Sequence, residues 1–383
     1  MKNIYSLLND YERTSLDYDS FTSRVYQNEI IVLKGTASPV LVGHGLGLRI
    51  NSSVGLNSSK EYSNEIEKIQ AIAEHSNRPD IMMDLSTTKI TTPLYQEISK
   101  IIGCPVGTIP YYTCFDSEHG IDDNKLLEII EEQAENGVSF MTLHQSANME
   151  LAQNALCRNV PIISRGGSLL LRDMRINNRA ENVLIRNIDR ILPILKKHRV
   201  AISIGTTYRP STQYDALDSV HKKELKLQKE ISKVLRENGL QILMEGIGHI
   251  SFNRIPEFCA QLRENGYIPF MPLGPIVSDR TPGQDHITSS IGAAYLASLG
   301  EADIINAVTR EEHTGGIPSK DSILEAIDAA STVVKIVNDS RFASFFCRKE
   351  AKTFNCTGSS FEVGCARCGN ECPFIWNMTN QNL

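Results

Sequence analysis

The feature that most constrains the fold is a regular alternation of short apolar runs with segments of helical periodicity. Eight apolar runs follow one another, at 81–85, 105–109, 139–143, 161–163, 200–204, 241–244, 268–271 and 302–307. Helical segments separate most of them, and two of these segments end at Gly137 and Gly239, where a C-terminal glycine is expected. Eight strand–helix units predict an α/β fold, a (β/α)8 TIM-type barrel. A doubly wound open sheet is the competing interpretation, but it usually has fewer strands.

The same alternation of apolar runs and helical segments also predicts the domain organisation. Residues 76–340 form the predicted catalytic barrel, and residues 1–75 form an N-terminal region with strands and one helix. The periodicity stops past Val337, so residues 341–383 are interpreted as a C-terminal extension that carries a cluster-binding loop.

Composition excludes several classes of protein. Lys plus Arg total 39 against 45 Asp plus Glu, and this net charge of −6 argues against a nucleic-acid partner. No apolar segment approaches the length of a membrane span, and the N-terminus lacks the pattern of a signal peptide. Nine cysteines, an odd number, indicate reduced thiols and a cytoplasmic protein without a membrane partner.

Polar side chains collect directly after the predicted strands. They are Asp84, Ser86, Tyr111, Tyr112, His144, the segment 164–168, Thr206, Thr207, Tyr208, Arg209, Glu245, His249, Gly274, Asp279 and the segment 310–313. The loops at the C-terminal ends of barrel strands form the active site in this fold. Eight loops with reactive or anion-binding side chains therefore predict an enzyme.

Two of these loops suggest particular chemistry. Ser164, Arg165 and Gly166 open a glycine-rich segment whose amides and guanidinium suit a phosphate, with a plain loop as the alternative. Arg209 is a candidate clamp for a phosphate or carboxylate, or else a surface ion-pair partner.

Histidines at the predicted barrel mouth are candidate metal ligands. His249 lies four residues after Glu245, and His313 lies in another loop, so the two imidazoles can share a divalent metal. A structural role is the alternative for each. His144 and His286 are further candidates, and His286 could equally start a helix.

Three thiols fall within eight residues at Cys365, Cys368 and Cys372. Zinc would require a fourth ligand close by, and an iron–sulfur cluster normally takes four cysteines. Three cysteines would leave one iron open to a substrate. A disulfide pair with one spare thiol is the alternative, and it does not suit a chain without secretory features.

Several sequence motifs occur together and follow one another along the chain, at residues 81–87, 164–168, 245–249, 273–275, 282–289, 291–294 and 312–313. Together with the tail cysteines they resemble the phosphomethylpyrimidine synthase (ThiC) family of radical S-adenosylmethionine enzymes. The resemblance runs from about residue 50 to residue 338 and implies a (β/α)8 barrel with a C-terminal cluster loop, usually in a homodimer.

The resemblance also implies site residues and cofactors. Cys365, Cys368 and Cys372 would hold a [4Fe–4S] cluster whose open iron binds S-adenosylmethionine, and His249 and His313 would bind a zinc or iron ion. An external electron donor is implied as a partner. The implied substrate is 5-aminoimidazole ribotide, and Glu245 would act with the three cysteines in catalysis. The implied substrate contacts are Met83, Tyr112, His144, Ser164, Arg165, Gly166, Thr206, Arg209 and Glu245.

The chain departs from the thiamin-pathway pattern at its predicted substrate site. A family aspartate is Thr206, a family asparagine is Ser53 and a family tyrosine is Met271. The cysteine spacing is also shorter by one residue. Losing a carboxylate and a phenol changes the hydrogen bonds that a site offers to its substrate.

These departures favour a paralogue that keeps radical generation and redirects the rearrangement. Thr206, Tyr208 and the segment 310–316 resemble the 5-hydroxybenzimidazole synthase branch, which supplies the lower ligand of anaerobic cobamides. We therefore predict this product, with the thiamin pyrimidine as the alternative. A catalytically silent partner subunit, or a pairing with a related chain, is a third interpretation.

Overall fold

The structure, a computed structural model, describes residues 16–264 and 266–342 together with Tyr5, Thr14, Cys368 and Glu371. The chain separates into two compact units, Met1–Val337 and Asn338–Leu383. Two of the three predicted cluster cysteines, Cys365 and Cys372, lie outside the described residues.

The strands are β1 (Ile30–Leu33), β2 (Val40–Gly43), β3 (Arg49–Val54), β4 (Ile81–Asp84), β5 (Val106–Thr108), β6 (Phe115–Asp116), β7 (Gly120–Ile121), β8 (Phe140–Leu143), β9 (Ala201–Ile204), β10 (Ile242–His249), β11 (Phe270–Ile276) and β12 (Ile304–Asn306). Eight of them form a parallel sheet in the order β11-β10-β9-β8-β5-β4-β3-β12. Strands β4, β8, β9 and β10 are buried along their whole length, which explains why they are apolar runs.

The two ends of the sheet approach each other across β11 and β12. The Asp303 N–H donates to the Phe270 carbonyl at 3.0 Å, and the Phe270 N–H donates to Asp303 Oδ2 at 2.8 Å. Asn306 Nδ2 donates to the Pro272 carbonyl at 2.7 Å. The sheet is thereby nearly closed into a barrel, and the predicted (β/α)8 TIM-type fold is confirmed.

One predicted strand was wrong and one barrel strand was missed. Residues 161–163 form no strand; the run is only three residues long, and Pro161 has no N–H for a ladder. The missing strand is β3, which lies within the region predicted to precede the barrel. Its buried Asn51 and Ser52 interrupt the apolar pattern by which the other strands were identified.

Helices join consecutive strands and surround the sheet. They are α1 (Tyr18–Tyr26), α2 (Tyr62–Glu74), α3 (Leu94–Ile101), α4 (Asp123–Glu135), α5 (Met149–Asn154), α6 (Arg165–Ile176), α7 (Val183–Arg186), α8 (Ile188–His198), α9 (Ser219–Glu237), α10 (Ile255–Arg263), α11 (Asp285–Ser298) and α12 (Lys320–Arg341). Short 3-10 turns occur at Ser59–Glu61, Pro110–Tyr112, Ala155–Cys157 and Phe252–Arg254.

The segment before the barrel packs as a small unit of its own. Strands β1 and β2 form an antiparallel hairpin, and Phe21 of α1 packs with Ile30, Leu41 and Leu46 in a separate apolar cluster. Gln241, just before β10, accepts a hydrogen bond from the Val32 N–H at 2.6 Å. Within the described part of the chain, no helix combines the length and apolarity needed to cross a membrane.

Candidate functional site

A cavity of about 540 Å³ lies at the carboxyl ends of the barrel strands. Nine predicted site residues line it: Met83, Tyr112, His144, Ser164, Arg165, Arg209, Glu245, His249 and His313. They lie within or after six different strands, so the barrel topology brings together side chains that are up to 230 residues apart in the chain. This is the location where barrel enzymes place their active sites.

Two predicted contact residues lie outside the described lining. The Thr206 hydroxyl instead donates to Glu224 Oε2 at 2.8 Å, and both residues are buried. Gly166 lies behind the lining, where a Cβ atom would come within 2.6 Å of His144 Cε1 and 2.7 Å of the Tyr111 hydroxyl. The structure therefore gives Gly166 a close-packing role.

The glycine-rich segment is the first turn of α6. Ser164 is its N-cap, and Ser164 Oγ accepts a hydrogen bond from the Gly167 N–H at 3.2 Å. The first-turn N–H groups of a helix and its macrodipole attract anions. Arg165 stands at this end with its guanidinium 5.7 Å from the centre of the Tyr112 ring. The predicted anion cradle is thus a capped helix N-terminus with a cation beside it.

Glu245 is a buried carboxylate at the cavity wall. Its Oε1 accepts hydrogen bonds from Thr142 Oγ1 at 2.7 Å and from Ser203 Oγ at 2.9 Å. Burial raises the pKa of Glu245 above its usual value of 4.5, and the two hydrogen bonds and nearby Arg209 partly oppose the shift. No hydrogen bond from the described residues reaches the second oxygen, Oε2.

His144 is held as a neutral imidazole. Burial and, to a smaller extent, Arg209 lower the pKa of His144 to about 3. Its Nδ1 lies 2.6 Å from the Tyr111 hydroxyl. Burial raises the pKa of Tyr111 well above 10.0, so the phenol stays protonated and donates to Nδ1. The imidazole proton is then on Nε2, which makes His144 a hydrogen-bond donor.

The two predicted metal histidines face each other. The Nε2 atoms of His249 and His313 are 3.0 Å apart. His249 Nδ1 lies 2.7 Å from Asp279 Oδ1, and His313 Nδ1 lies 2.9 Å from Asp285 Oδ1. Each imidazole therefore donates its Nδ1–H to a carboxylate, and the two Nε2 atoms face each other.

This arrangement fits a divalent metal ion. Two facing lone pairs repel unless a proton or a cation lies between them. Zinc–nitrogen bonds of about 2.0–2.1 Å allow nitrogens 3.0 Å apart to bind one ion. A carboxylate on the outer nitrogen of each ligating histidine is the usual second layer of such sites. The residues present thus suit zinc or iron.

His286 does not share the cavity with the other predicted histidines in the described structure. His286 Nε2 is 3.7 Å from Glu325 Oε1, and the residue is not among the described residues lining the cavity. It occupies the first turn of α11, as the alternative interpretation expected. Cys368 is exposed.

Sequence reasoning missed part of the cavity wall. Asn51, Glu65, Lys68 and Asn306 also line it. Glu65 and Lys68 are three residues apart on α2, which in a sequence is the spacing of an ordinary exposed ion pair. Only their place on the buried face of α2, beside Ile69 and Ile72, reveals them.

Comparison with known proteins gives a consistent result. The model of the radical SAM ThiC family matches residues 8–353. Phosphomethylpyrimidine synthase of Thermoanaerobacter pseudethanolicus is 35% identical over 338 residues, 83% of this chain and 76% of that protein. The enzyme of the same name from Methanopyrus kandleri is 34% identical, over 87% of this chain and 80% of that protein.

A relative with a different name is equally similar. The 5-hydroxybenzimidazole synthase of Desulfuromonas acetoxidans is 34% identical over 313 residues, 79% of this chain and 71% of that protein. Identity therefore does not separate the two activities. The family match covers most of the chain, and the chain belongs to the radical SAM ThiC family of enzymes.

Proposed function

We propose that this enzyme rearranges 5-aminoimidazole ribotide to 5-hydroxybenzimidazole in a reaction that consumes S-adenosylmethionine. The observation that carries the proposal is the cavity at the barrel mouth, which unites a helix N-terminus beside Arg165, a buried carboxylate, a neutral imidazole and a histidine pair. A phosphorylated ribosyl imidazole needs partners of these kinds.

The cationic wall of the cavity would bind the phosphate. Ser164 and Arg165 at the start of α6 and Arg209 after β9 supply amide, hydroxyl and guanidinium donors. Glu245 would accept a hydrogen bond from the amino or ribosyl hydroxyl groups through Oε2, and His144 would donate from Nε2. Met83 and Tyr112 offer apolar surface to the base. We leave Thr206 out of this contact set because its hydroxyl is bonded to Glu224.

The cofactors would be held by two groups of ligands. His249 and His313 would bind the divalent metal, and Cys365, Cys368 and Cys372 would bind a [4Fe–4S] cluster. When bound and reduced by an external electron donor, the cluster supplies the electron that cleaves S-adenosylmethionine. The protein residues of the cavity would exclude water and hold the ribotide in one orientation while the radical reacts.

The choice of product rests on three positions in this chain. Ser53 and Met271 line the cavity where the thiamin-branch pattern has an asparagine and a tyrosine, and Thr206 replaces an aspartate and bonds inward. Fewer polar contacts to the ribotide favour a changed rearrangement. The alternative is phosphomethylpyrimidine synthesis, which the two relatives carrying that name support.

The test is anaerobic incubation of the reconstituted full chain with the ribotide, S-adenosylmethionine and a reductant, followed by mass spectrometry of the products. We expect 5-hydroxybenzimidazole together with 5′-deoxyadenosine. A phosphomethylpyrimidine product would overturn the first choice in favour of the alternative. A His249→Ala variant, expected to lose metal and product together, tests the proposed metal site.

The third interpretation, a silent partner subunit, has its own test. Anaerobic iron and sulfide analysis of the full chain distinguishes it, since we expect about four irons per chain for one cluster. Absence of iron after reconstitution would favour a non-enzymatic subunit. Native mass spectrometry of the same sample, alone and with a related chain, would distinguish the predicted homodimer from a mixed pair.

A further inference from the structure

The end of strand β10, which carries the proposed metal ligand His249, has an irregular and strained backbone. The pairing of β10 with β11 shifts register between Ile247 and His249. Ile247 is fully buried and has a φ of 78°, and Gly248 has a φ of 107°. A β-branched residue rarely adopts this left-handed region, and such strain persists only where the surrounding structure imposes it. Contacts from outside the strand are therefore needed to hold His249 in place.

The loop after β9 supplies the first of these contacts. The His249 N–H donates to the Pro210 carbonyl at 3.2 Å. Gly248 lets the loop lie against β10, because a Cβ atom at this position would come within 2.7 Å of the Pro210 oxygen. Arg209, the residue before Pro210, lines the cavity. The loop that brings Arg209 to the cavity thus also holds the backbone of His249.

The second contact connects Gln213, in the same loop, to the His249 imidazole through Asp279. The Gln213 N–H donates to Asp279 Oδ2 at 2.8 Å, and Asp279 Oδ1 lies 2.7 Å from His249 Nδ1. The side chain of Gln213 fixes its own backbone, because Nε2 donates to the Val277 carbonyl at 2.7 Å. Gln213 is not among the described residues that line the cavity, so it would act on the metal site without touching a ligand there.

The two proposed metal histidines are supported differently. Asp285, the partner of His313, is buried in the first turn of α11, where the helix backbone fixes it. Asp279 lies in the segment 277–284 between β11 and α11, and 26% of its side chain is exposed to solvent. A carboxylate in such a loop can turn away from His249 unless its other oxygen is held. Among the residues that the structure describes, Gln213 holds that oxygen.

We infer that Gln213 is a positioning residue for the metal ligand His249, which acts through Asp279 beside the support that the Pro210 carbonyl gives. The inference rests on the proposed function, which places a divalent metal between His249 and His313. Removing an outer partner that orients a ligating histidine typically weakens metal binding. Loss of the Gln213 side chain therefore weakens metal binding while every residue that lines the cavity is kept.

Zinc titration of the reconstituted full chain against a chromophoric chelator tests the inference, and His249→Ala measures the zinc that binds elsewhere. We expect Gln213→Ala to weaken zinc binding by about 2–10-fold, as for loss of one neutral hydrogen bond. Gln213→Glu has a similar size but cannot donate to the Val277 carbonyl, so it should lose at least as much. In the cobalt-substituted protein, Gln213→Ala should change the visible absorption bands, because they report the geometry of the ligands around the metal.

A double-mutant cycle tests the route from Gln213 to the imidazole. Asp279→Asn should weaken zinc binding by about 10-fold or more, since the direct partner of His249 is changed. If Gln213 acts through Asp279, the double variant Gln213→Ala/Asp279→Asn should bind zinc about as weakly as Asp279→Asn alone. Fully additive losses would show that Gln213 does not act through Asp279 and would overturn the inference.

Two controls separate positioning from general destabilisation. Tyr214→Ala removes a side chain that is 95% exposed on the same loop, and it should leave the zinc affinity and the cobalt spectrum unchanged. Asp122→Ala removes the N-cap of α4, where Asp122 Oδ1 accepts from the Lys125 N–H at 2.8 Å. This variant should have a lower melting temperature than the parent and the same zinc affinity.

The remaining outcomes count against the inference or against its basis. Zinc affinity in Gln213→Ala equal to that of the parent would overturn it. Equal losses of zinc affinity in Gln213→Ala and Asp122→Ala would assign Gln213 a structural role alone. If His249→Ala binds zinc as tightly as the parent, the proposed metal site itself fails. That failure is distinguishable, because it appears in His249→Ala before any Gln213 variant is compared.

Discussion

At the scale of single residues, the cavity keeps titratable groups in defined states. Glu245 and His144 are both buried at the barrel mouth, and burial disfavours the charged form of each. The Tyr111 hydroxyl fixes the imidazole tautomer, and the hydroxyls of Thr142 and Ser203 both bond one oxygen of the carboxylate. The cavity therefore presents one hydrogen-bond donor, His144, and one acceptor, Glu245, each held in a fixed orientation by its hydroxyl partners.

The Glu245→Gln variant tests this account of the carboxylate. The folded-state pKa of Glu245 lies above 4.5. Ionising this buried carboxyl therefore lowers the stability of the fold at pH values above 4.5. The cost is absent well below pH 4.5, where the carboxyl is protonated in both the folded and the unfolded chain. We expect the variant to be more resistant to urea than the parent at pH 8. This advantage should shrink as the pH falls toward 4.5. The introduced amide keeps an oxygen for Thr142 and Ser203, so the fold is preserved.

The same variant should bind the ribotide about 10-fold more weakly or worse, since a charged acceptor is lost. Exposed Glu118→Gln is the matched control, and it should change neither urea resistance nor ribotide affinity. A stability advantage that stays constant from pH 8 to pH 4.5 would contradict the raised pKa.

At the scale of elements, one buried carboxylate, that of Glu224, fixes the loop after β9 through hydrogen bonds. Glu224 of α9 accepts hydrogen bonds from Ser146 Oγ at 2.6 Å, from Thr206 Oγ1 at 2.8 Å and from the N–H groups of Thr207 and Tyr208 at 2.6 and 2.8 Å. Glu224 thereby sets the path of the loop that delivers Arg209 to the cavity.

This network predicts the result of restoring the family aspartate. In Thr206→Asp a carboxylate would replace the donor that bonds Glu224, and two buried acceptors would face each other within hydrogen-bond distance. We expect a loss of about 2–4 kcal/mol of stability in urea unfolding, and no gain of pyrimidine product. Thr206→Val, which removes the donor without adding charge, should cost only about 1–2 kcal/mol. An aspartate variant as stable as the parent would contradict this account of the loop.

The N-terminus of α6 gives a second prediction at this scale. In Ser164→Ala the Gly167 N–H loses its cap, which typically costs about 1 kcal/mol of folding stability. Ser164 also lines the cavity wall that we propose binds the phosphate, so ribotide binding should weaken several-fold. Asn148→Ala, at the N-cap of α5, is the matched control: it should lose similar stability and bind the ribotide as the parent does. Calorimetry and ribotide titration measure both effects, and equal ribotide affinity in the two variants would refute the phosphate role.

At the scale of the whole molecule, the site exists because the sheet closes. His249 ends β10 and His313 follows β12, and β12 is placed beside β11 by hydrogen bonds at the seam. Asp303, just before β12, uses both its backbone N–H and its carboxylate in this junction. The distance between the two histidines therefore depends on this seam.

Asp303→Ala should open the seam. The Phe270 N–H would lose its acceptor in a buried position, which costs about 1–3 kcal/mol. We expect a lower melting temperature, and also weaker retention of the divalent metal on dialysis, because His313 lies on the displaced side. Exposed Glu118→Ala is the control and should keep both properties. Loss of stability with full metal retention would show that the seam does not position the histidines.

The sequence by itself determined the fold class and nine of the residues that line the cavity. Fully buried parallel strands must be apolar along their length, so seven of the eight strands were visible as runs, and polar residues such as Glu245 and Arg209 stood out after them. Strand β3 was not visible because its buried Asn51 interrupts the apolar pattern. The partner that allows this polar side chain to be buried is Asn306, 255 residues away in the chain. The cysteine trio stays a sequence-based prediction, since Cys365 and Cys372 lie outside the described residues.

Only the tertiary structure decided which side chains share the cavity and how they point. Thr206 and Glu245 both follow barrel strands in the sequence, yet one bonds inward to Glu224 and the other lines the cavity. Lys68 has the spacing of a surface charge, yet the barrel buries it in the cavity wall. Sequence periodicity reports the face on which a residue lies, whereas orientation and partners depend on packing between elements that are distant in the chain.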